Sequence, residues 1–210
     1  ASARQSVAEL LQASPEEIIF TSSGTEANNT AIMSAIQTQQ GRNKIVSTVV
    51  EHPAVLNLCR ALQKRGYVVD YISVDSQGRL DLDEARELID DNTAIVSVMM
   101  ANNETGNIYP VYELAQLAHE KGALFHCDAV QAAGKIPLNM AASQIDFLSL
   151  SAHKLHGPKG IGALYRRRFT PFAPYLIGGH QENGMRAGTE NVSGIAGFGK
   201  AAELAMKYLP

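Results

Sequence analysis

Cysteine is nearly absent from this chain of 210 residues, which holds only Cys59 and Cys127. Two cysteines make neither a disulfide framework nor a metal cage, and in apolar surroundings each packs as a small hydrophobe. An excess of charge of one sign is missing too. Eighteen Lys and Arg stand against 21 Asp and Glu, a formal net charge of −3, which argues against nucleic acid or an anionic membrane as a main partner. The only dense basic run, Arg166-Arg167-Arg168, follows a strand-like segment and reads as a solvated strand end. No uninterrupted apolar run is long enough for a membrane helix, and no signal peptide is recognisable. Repeats and low-complexity stretches are lacking as well. The first residues, Ala1 to Arg4, already read as mid-helix. These lacks predict a soluble protein of a reducing compartment, the cytoplasm by default.

What is present is an alternation of short apolar runs and amphipathic stretches, with 45% hydrophobic residues, enough for a sizeable core in one domain or one large domain of a bigger protein. Val7, Leu10 and Leu11 recur at helical spacing and predict a first helix that stops near Ser14-Pro15. Strands are expected at 17–21, 44–50, 67–74, 93–100, 123–128, 145–150 and 161–165. Helices are expected up to about Gln39, from Ala54 to Arg65 (closed by Gly66), from Leu82 to Asp90, from Pro110 to Lys121 and through Ile195 to Leu204. Residues Ala129 to Lys135 read as helical, and Gly178 to Asn191 as a long polar, Gly-rich loop. Such alternation predicts an α/β fold, a mostly parallel sheet flanked by helices.

Ligands in such sheets bind at the C-terminal ends of strands, and the polar residues cluster there: Gly24-Thr25, His52, Asn103, Asp128 and the Lys154 loop. Strand, Gly/Ser/Thr turn and helix start at Thr21 to Asn29 form a ready anion site, although an ordinary N-cap looks the same. Lys154 lies between a buried run and the Gly157-Pro158 turn. Partial desolvation there would favour a nucleophilic amine; a surface lysine is the bland alternative. Ser151 and His153 stand beside it and could hold an anion. Asp128 ends a strand with no cation adjacent in sequence, so it is either a helix N-cap or a carboxylate reserved for a ligand. His52 could stack on an aromatic ring or sit in the core. Gln131, three residues past Asp128, could bond a ring oxygen or face solvent. An amine, a phosphate cradle, an isolated carboxylate and an imidazole are what pyridoxal phosphate needs, the carboxylate keeping the ring nitrogen protonated so that the ring draws off electrons.

Six segments carry a resemblance. FTSSGTEANN (Phe20 to Asn29), VEHPAV (Val50 to Val55), ANNETG (Ala101 to Gly106), HCDAVQAAGK (His126 to Lys135), SAHKLHGPKGIGALY (within 149–165) and GMRAGTEN (Gly184 to Asn191) resemble the cysteine desulfurases, relatives of the class-V aminotransferases. They occur in family order and span nearly the whole chain. The resemblance implies the large domain of a fold type I pyridoxal phosphate-dependent transferase over 1–210. It implies Lys154 as the lysine that bonds the cofactor, Asp128 on the pyridine nitrogen, and His52 stacked on the ring and moving protons. Gln131 would bond the phenolic oxygen, and Asn103 would lie near ring and substrate. Gly24, Thr25, Ser151 and His153 would hold the phosphate, and Thr189 would reach the phosphate of a partner subunit, which makes a homodimer the expected state. The implied partners are L-cysteine as substrate and a sulfur-acceptor protein.

Departures from the family are equally specific. Its members carry a nucleophilic cysteine on a mobile loop in a region after this chain ends, and neither Cys59 nor Cys127 lies in that motif. The small domain with its substrate-binding arginine, and the segment that normally precedes Ala1, are also missing. The 210 residues alone are therefore expected to bind cofactor weakly and not to release sulfide. Within the enzymes the rivals are a selenocysteine lyase or another class-V enzyme. Outside them stand a non-catalytic fragment of the fold and a metal-dependent hydrolase built on His52, His126, His153, His156 and His180, none of which has helical metal-ligand spacing.

Overall fold

The computed structural model describes residues 1–208. In chain order the main elements are α1 (Ser2–Leu11), β1 (Ile18–Thr21), α2 (Gly24–Thr38), β2 (Lys44–Thr48), α3 (Pro53–Gln63), β3 (Val68–Ile72) and α4 (Leu82–Leu88). They continue with β4 (Thr93–Met99), α5 (Val111–Glu120), β5 (Leu124–Asp128), β6 (Phe147–Ser151), β7 (Gly162–Arg166) and α6 (Val192–Tyr208). The seven strands form one sheet in the order β1-β7-β6-β5-β4-β2-β3. Strands β3, β2, β4, β5 and β6 are mutually parallel. Only β7 runs the other way, antiparallel to both β6 and β1. The sheet is the expected mostly parallel one.

Side chains alternate across a strand, so each central strand feeds two cores. Ile95, Leu124, Phe147 and Leu164 face the cluster built by α2 and α3, with Ile32, Val55 and Leu62. Val96, Phe125, Leu148 and Tyr165 face the other cluster, built by α1, α4, α5 and α6, with Leu11, Ala85, Leu114 and Phe198. All seven residues of β4 are buried, as its apolar, β-branched start predicts. His126, which the sequence offered as a possible metal ligand, is fully buried between Ser97 Oγ (2.8 Å) and Ser149 Oγ (2.9 Å), and burial pushes its imidazole down to about 3.

Several boundaries move. The first strand begins at Ile18 because Pro15–Glu17 forms a 3-10 turn capped by Ser14. Strand β2 stops at Thr48, since Val49 and Val50 already turn toward α3. Helix α3 ends at Gln63, one turn before Gly66 (φ +93°), and α4 ends at Leu88. Residues Ala129 to Lys135 are successive turns instead of a helix: Ala133 N–H bonds Ala129 C=O, and Gly134 at φ +70° breaks any continuation. The Gly-rich loop is also less open than its composition suggests. Glu182 in it is buried, takes a bidentate contact from Arg4, and accepts the Phe20 N–H at 2.8 Å.

Candidate active site

Because β1, β2, β4, β5 and β6 all point the same way, their C-terminal ends share one edge of the sheet, and the start of β7 joins them. A cleft of about 210 Å³ opens there. Gly24, Thr25, His52, Asn103, Asp128, Gln131, Ser151, His153 and Lys154 all line it. Thr189 does not line it; it is exposed on the loop before α6. The structure thus brings nine of the ten expected residues together.

At one end lies the N-terminus of α2. Ser23 caps it, its hydroxyl accepting the Glu26 N–H at 3.1 Å. The first N–H groups of a helix have no partner within it and favour an anion. Gly24 is required by space: a Cβ there would meet Val130 Cγ2 at 2.8 Å and fill the cradle. Gly162, at the start of β7, is required for the same reason, since its Cβ would fall 2.6 Å from the Ser23 carbonyl carbon. Glu26, an acid beside an anion site, is neutralised by Arg186, whose Nε and Nη2 reach its carboxylate at 2.8 and 3.0 Å. Burial opposes its charge, but Arg186 and Ser22 together hold its carboxyl below the usual range.

Strand β6 delivers Ser151, and Lys154 follows on a 3-10 turn, Ala152–Leu155, where the sequence suggested an open loop. Ser151 Oγ and His153 Nδ1 are 2.8 Å apart. Burial and the cations Lys154 and Lys159 lower the His153 pKa, so its ring stays neutral more readily than a free one. Lys154 is half-buried.

Asp128 ends β5, only 6% exposed. Its Oδ1 accepts the Val130 N–H at 3.0 Å and its Oδ2 the Asn28 Nδ2 at 2.7 Å. Burial raises its pKa, against these two hydrogen bonds and the nearby His52. Among the described residues this carboxylate forms no ion pair, and a protonated ring nitrogen would supply one. His52 caps α3, its Nδ1 accepting the Ala54 N–H at 3.1 Å. With Nδ1 so occupied, a neutral ring carries its proton on Nε2. Gln131 Oε1 receives Lys135 Nζ at 3.1 Å, so its amide NH₂ remains available to a ligand oxygen.

Four contributors were not singled out from the sequence. Asn28 orients Asp128, and its Oδ1 is buried without a partner. Its presence in a helical polar stretch (Ala27-Asn28-Asn29) was the available signal. Asn102 builds the turn that exposes Asn103: its Oδ1 accepts the Glu104 and Thr105 N–H groups, and its Nδ2 reaches Val50 C=O. Met99 and Val130 complete the walls. The two cysteines stay away. Both are fully buried, neither lines the cleft, and burial pushes the Cys59 thiol up to about 12 and Cys127 well above its ordinary value.

Residues 1–209 match the family model described as aminotransferase class-V. A cysteine desulfurase of Nostoc sp. (strain PCC 7120) is 58% identical over 207 residues, covering 99% of this chain and 52% of that protein. A solved NifS-like protein superposes with a TM-score of 0.94 at 43% identity, over 98% of this chain and 57% of the other. A structure described as SspA in complex with cysteine superposes at 0.92 with 36% identity, over 100% and 60%. The chain spans about half the length of the curated relatives it matches.

Proposed function

Since the chain belongs to the class-V aminotransferase family, we propose that it is the pyridoxal phosphate-binding large domain of a cysteine desulfurase, which takes sulfur from L-cysteine, leaves L-alanine and passes on a persulfide. The observation that carries the reading is the meeting of Lys154, Asp128 and the Gly24 cradle in one cleft. The name shared by the curated relatives and the cysteine bound to a similar structure point to the same substrate.

The residues present fit the cofactor. The Gly24 cradle has room that a Cβ would fill, and Asp128 is a buried acid that forms no ion pair among the described residues. When bound, the cofactor supplies an electron sink for the substrate's α-carbon. The α2 N-terminus, Thr25, Ser151 and His153 would hold its phosphate. Asp128 would keep a proton on the ring nitrogen, Gln131 would donate to the phenolic oxygen, and Asn103 would border ring and substrate. His52 would cover the ring face, fixed by Ala54. Lys154 would hold the cofactor through Nζ and would move a proton at the substrate's α-carbon.

Sulfur removal also needs an attacking thiolate with an accessible, activated site. Neither cysteine qualifies, because both are enclosed and their thiols are held protonated. We assign that thiolate to residues outside the 210, as in the resemblance. A homodimer, with Thr189 of one copy reaching the phosphate of the other, a sulfur-acceptor protein and a cytoplasmic location complete the reading. Among the described residues no helix is long and apolar enough to cross a membrane.

Borohydride reduction of the yellow, cofactor-loaded protein followed by peptide mapping tests the centre of this reading. The pyridoxyl mass is expected on Lys154, and finding it on Lys135 or Lys159 would defeat the assignment. Gly24→Ala is expected to weaken pyridoxal phosphate binding by at least roughly tenfold, about 1.4 kcal/mol, with the far-UV spectrum unchanged. Equal affinity in a titration followed by absorbance would place the phosphate elsewhere.

A further inference from the structure

Glu51 takes no part in the chemistry above, yet its side chain is enclosed between the ends of two strands that carry site residues, 4% exposed. Its Oε1 accepts Thr48 Oγ1 at 2.9 Å and the Met99 N–H at 2.8 Å. Met99 lines the cleft and pairs in register with Asp128 on the neighbouring strand. His52 follows Glu51 directly, and Asn102 braces the same turn through Val50 C=O at 3.1 Å. The second oxygen, Oε2, is buried with no hydrogen-bond partner among the described residues.

We propose that Glu51 is a positioning residue for the site, a neutral acid that ties the His52-bearing end of β2 to the Met99 end of β4. The tie sets His52 and Asp128 relative to each other while leaving Asp128 as the single negative charge at the ring nitrogen. The cofactor part of this inference rests on the function proposed above; the tie itself does not.

Physical chemistry supports the neutral form. A buried carboxylate oxygen without a donor is costly as an anion. Among the described residues the groups facing Glu51 supply no cation: Asp128 and Cys127 lie on β5, Cys59 on α3 and Tyr109 before α5. Burial, opposed by the Met99 N–H and reinforced by Asp128, pushes the Glu51 carboxyl up to about 8. The adjacent His52 acts on Asp128 instead, favouring its charge. A second anion beside Asp128 would add charge that a single ring nitrogen does not offset.

The test compares the parent protein with Glu51→Gln, which keeps the acceptor oxygen and is neutral at every pH, and with Glu51→Ala, which removes the tie. Without cofactor, denaturation midpoints are followed against pH. The unfolded carboxyl ionises near 4.5 and the folded one near 8, so between these values the folded state binds more protons and the parent loses stability as pH rises. The Gln variant should therefore gain on the parent steadily across that window and hold a constant lead above it. A pH-independent difference would overturn the neutral acid. Amide exchange at Met99 should stay protected in Glu51→Gln and speed up by roughly tenfold or more in Glu51→Ala. Equal exchange in all three would overturn the tie. With pyridoxal phosphate bound, the pH profile of the visible spectrum should differ between the parent and Glu51→Gln, and identical profiles would overturn the cofactor part of the inference. A parent that binds no pyridoxal phosphate would sink the functional reading alone, because the first two measurements still decide the role of Glu51.

Discussion

In a full-length enzyme that carries this domain and the proposed activity, Lys154→Ala should lower desulfuration by about 10⁴-fold or more, because it removes a covalent anchor and a proton-transferring amine in one change. The fold should survive. The 3-10 turn that carries Lys154 is held by main-chain bonds, Ala152 N–H to Ile161 C=O at 3.1 Å and Gly157 N–H to Ala152 C=O at 2.9 Å. Neither uses the lysine side chain. The phosphate cradle is built from other elements, so pyridoxal phosphate should still bind, though it should now be lost on gel filtration. A small primary amine added to the assay should restore part of the rate, since the missing group is an amine and the turn around it is intact. Turnover within tenfold of the parent, with no response to added amine, would show that the reacting amine belongs to another residue.

In the same full-length enzyme, Asp128→Asn should cost about 3–4 kcal/mol of barrier, roughly 10²–10³-fold in turnover, with cofactor still bound. The reasoning starts from shape. An amide at this position can keep the Val130 N–H on its oxygen, and its NH₂ then meets Asn28. The Asn28 amide can answer by turning over, because its Oδ1 is buried with no partner in the parent. Packing is therefore conserved, and the folded protein loses only a carboxylate that burial already disfavours. What changes is the charge that, on the proposed function, would face the ring nitrogen. A neutral amide does not hold that nitrogen protonated, and electron withdrawal from the α-carbon weakens accordingly. Stopped-flow absorbance with L-cysteine separates binding from chemistry. Near-normal turnover in Asp128→Asn would end the electron-sink role for this residue.

Much of this architecture was legible along the chain because the signals are local. Strand period, helix period and the Gly/Ser/Thr turn at 22–25 are set by neighbours a few residues apart, and they located the elements to within a few residues. The same alternation put the polar ends of five strands on one edge, so Gly24, His52, Asn103, Asp128 and Lys154 could be named before any geometry. The failures have one cause. At 129–135 helical propensity favours a helix, but the chain runs in turns past Asp128 and reaches a positive φ at Gly134, where a helix cannot continue. At 178–191 polarity suggested an open loop, although Glu182 is drawn inside by Arg4, 178 residues away in sequence.

The sequence by itself determined the α/β class, the order of elements and the residue types gathered at the cleft, because periodicity and turn chemistry are written in short windows. Tertiary structure alone decided the reversed direction of β7, the partnership of Asn28 with Asp128 across 100 residues and the enclosure of Glu51 against Met99. Each of these depends on which strands lie side by side. Burial and charge at a site are set by neighbours distant in the chain, and no local pattern records them.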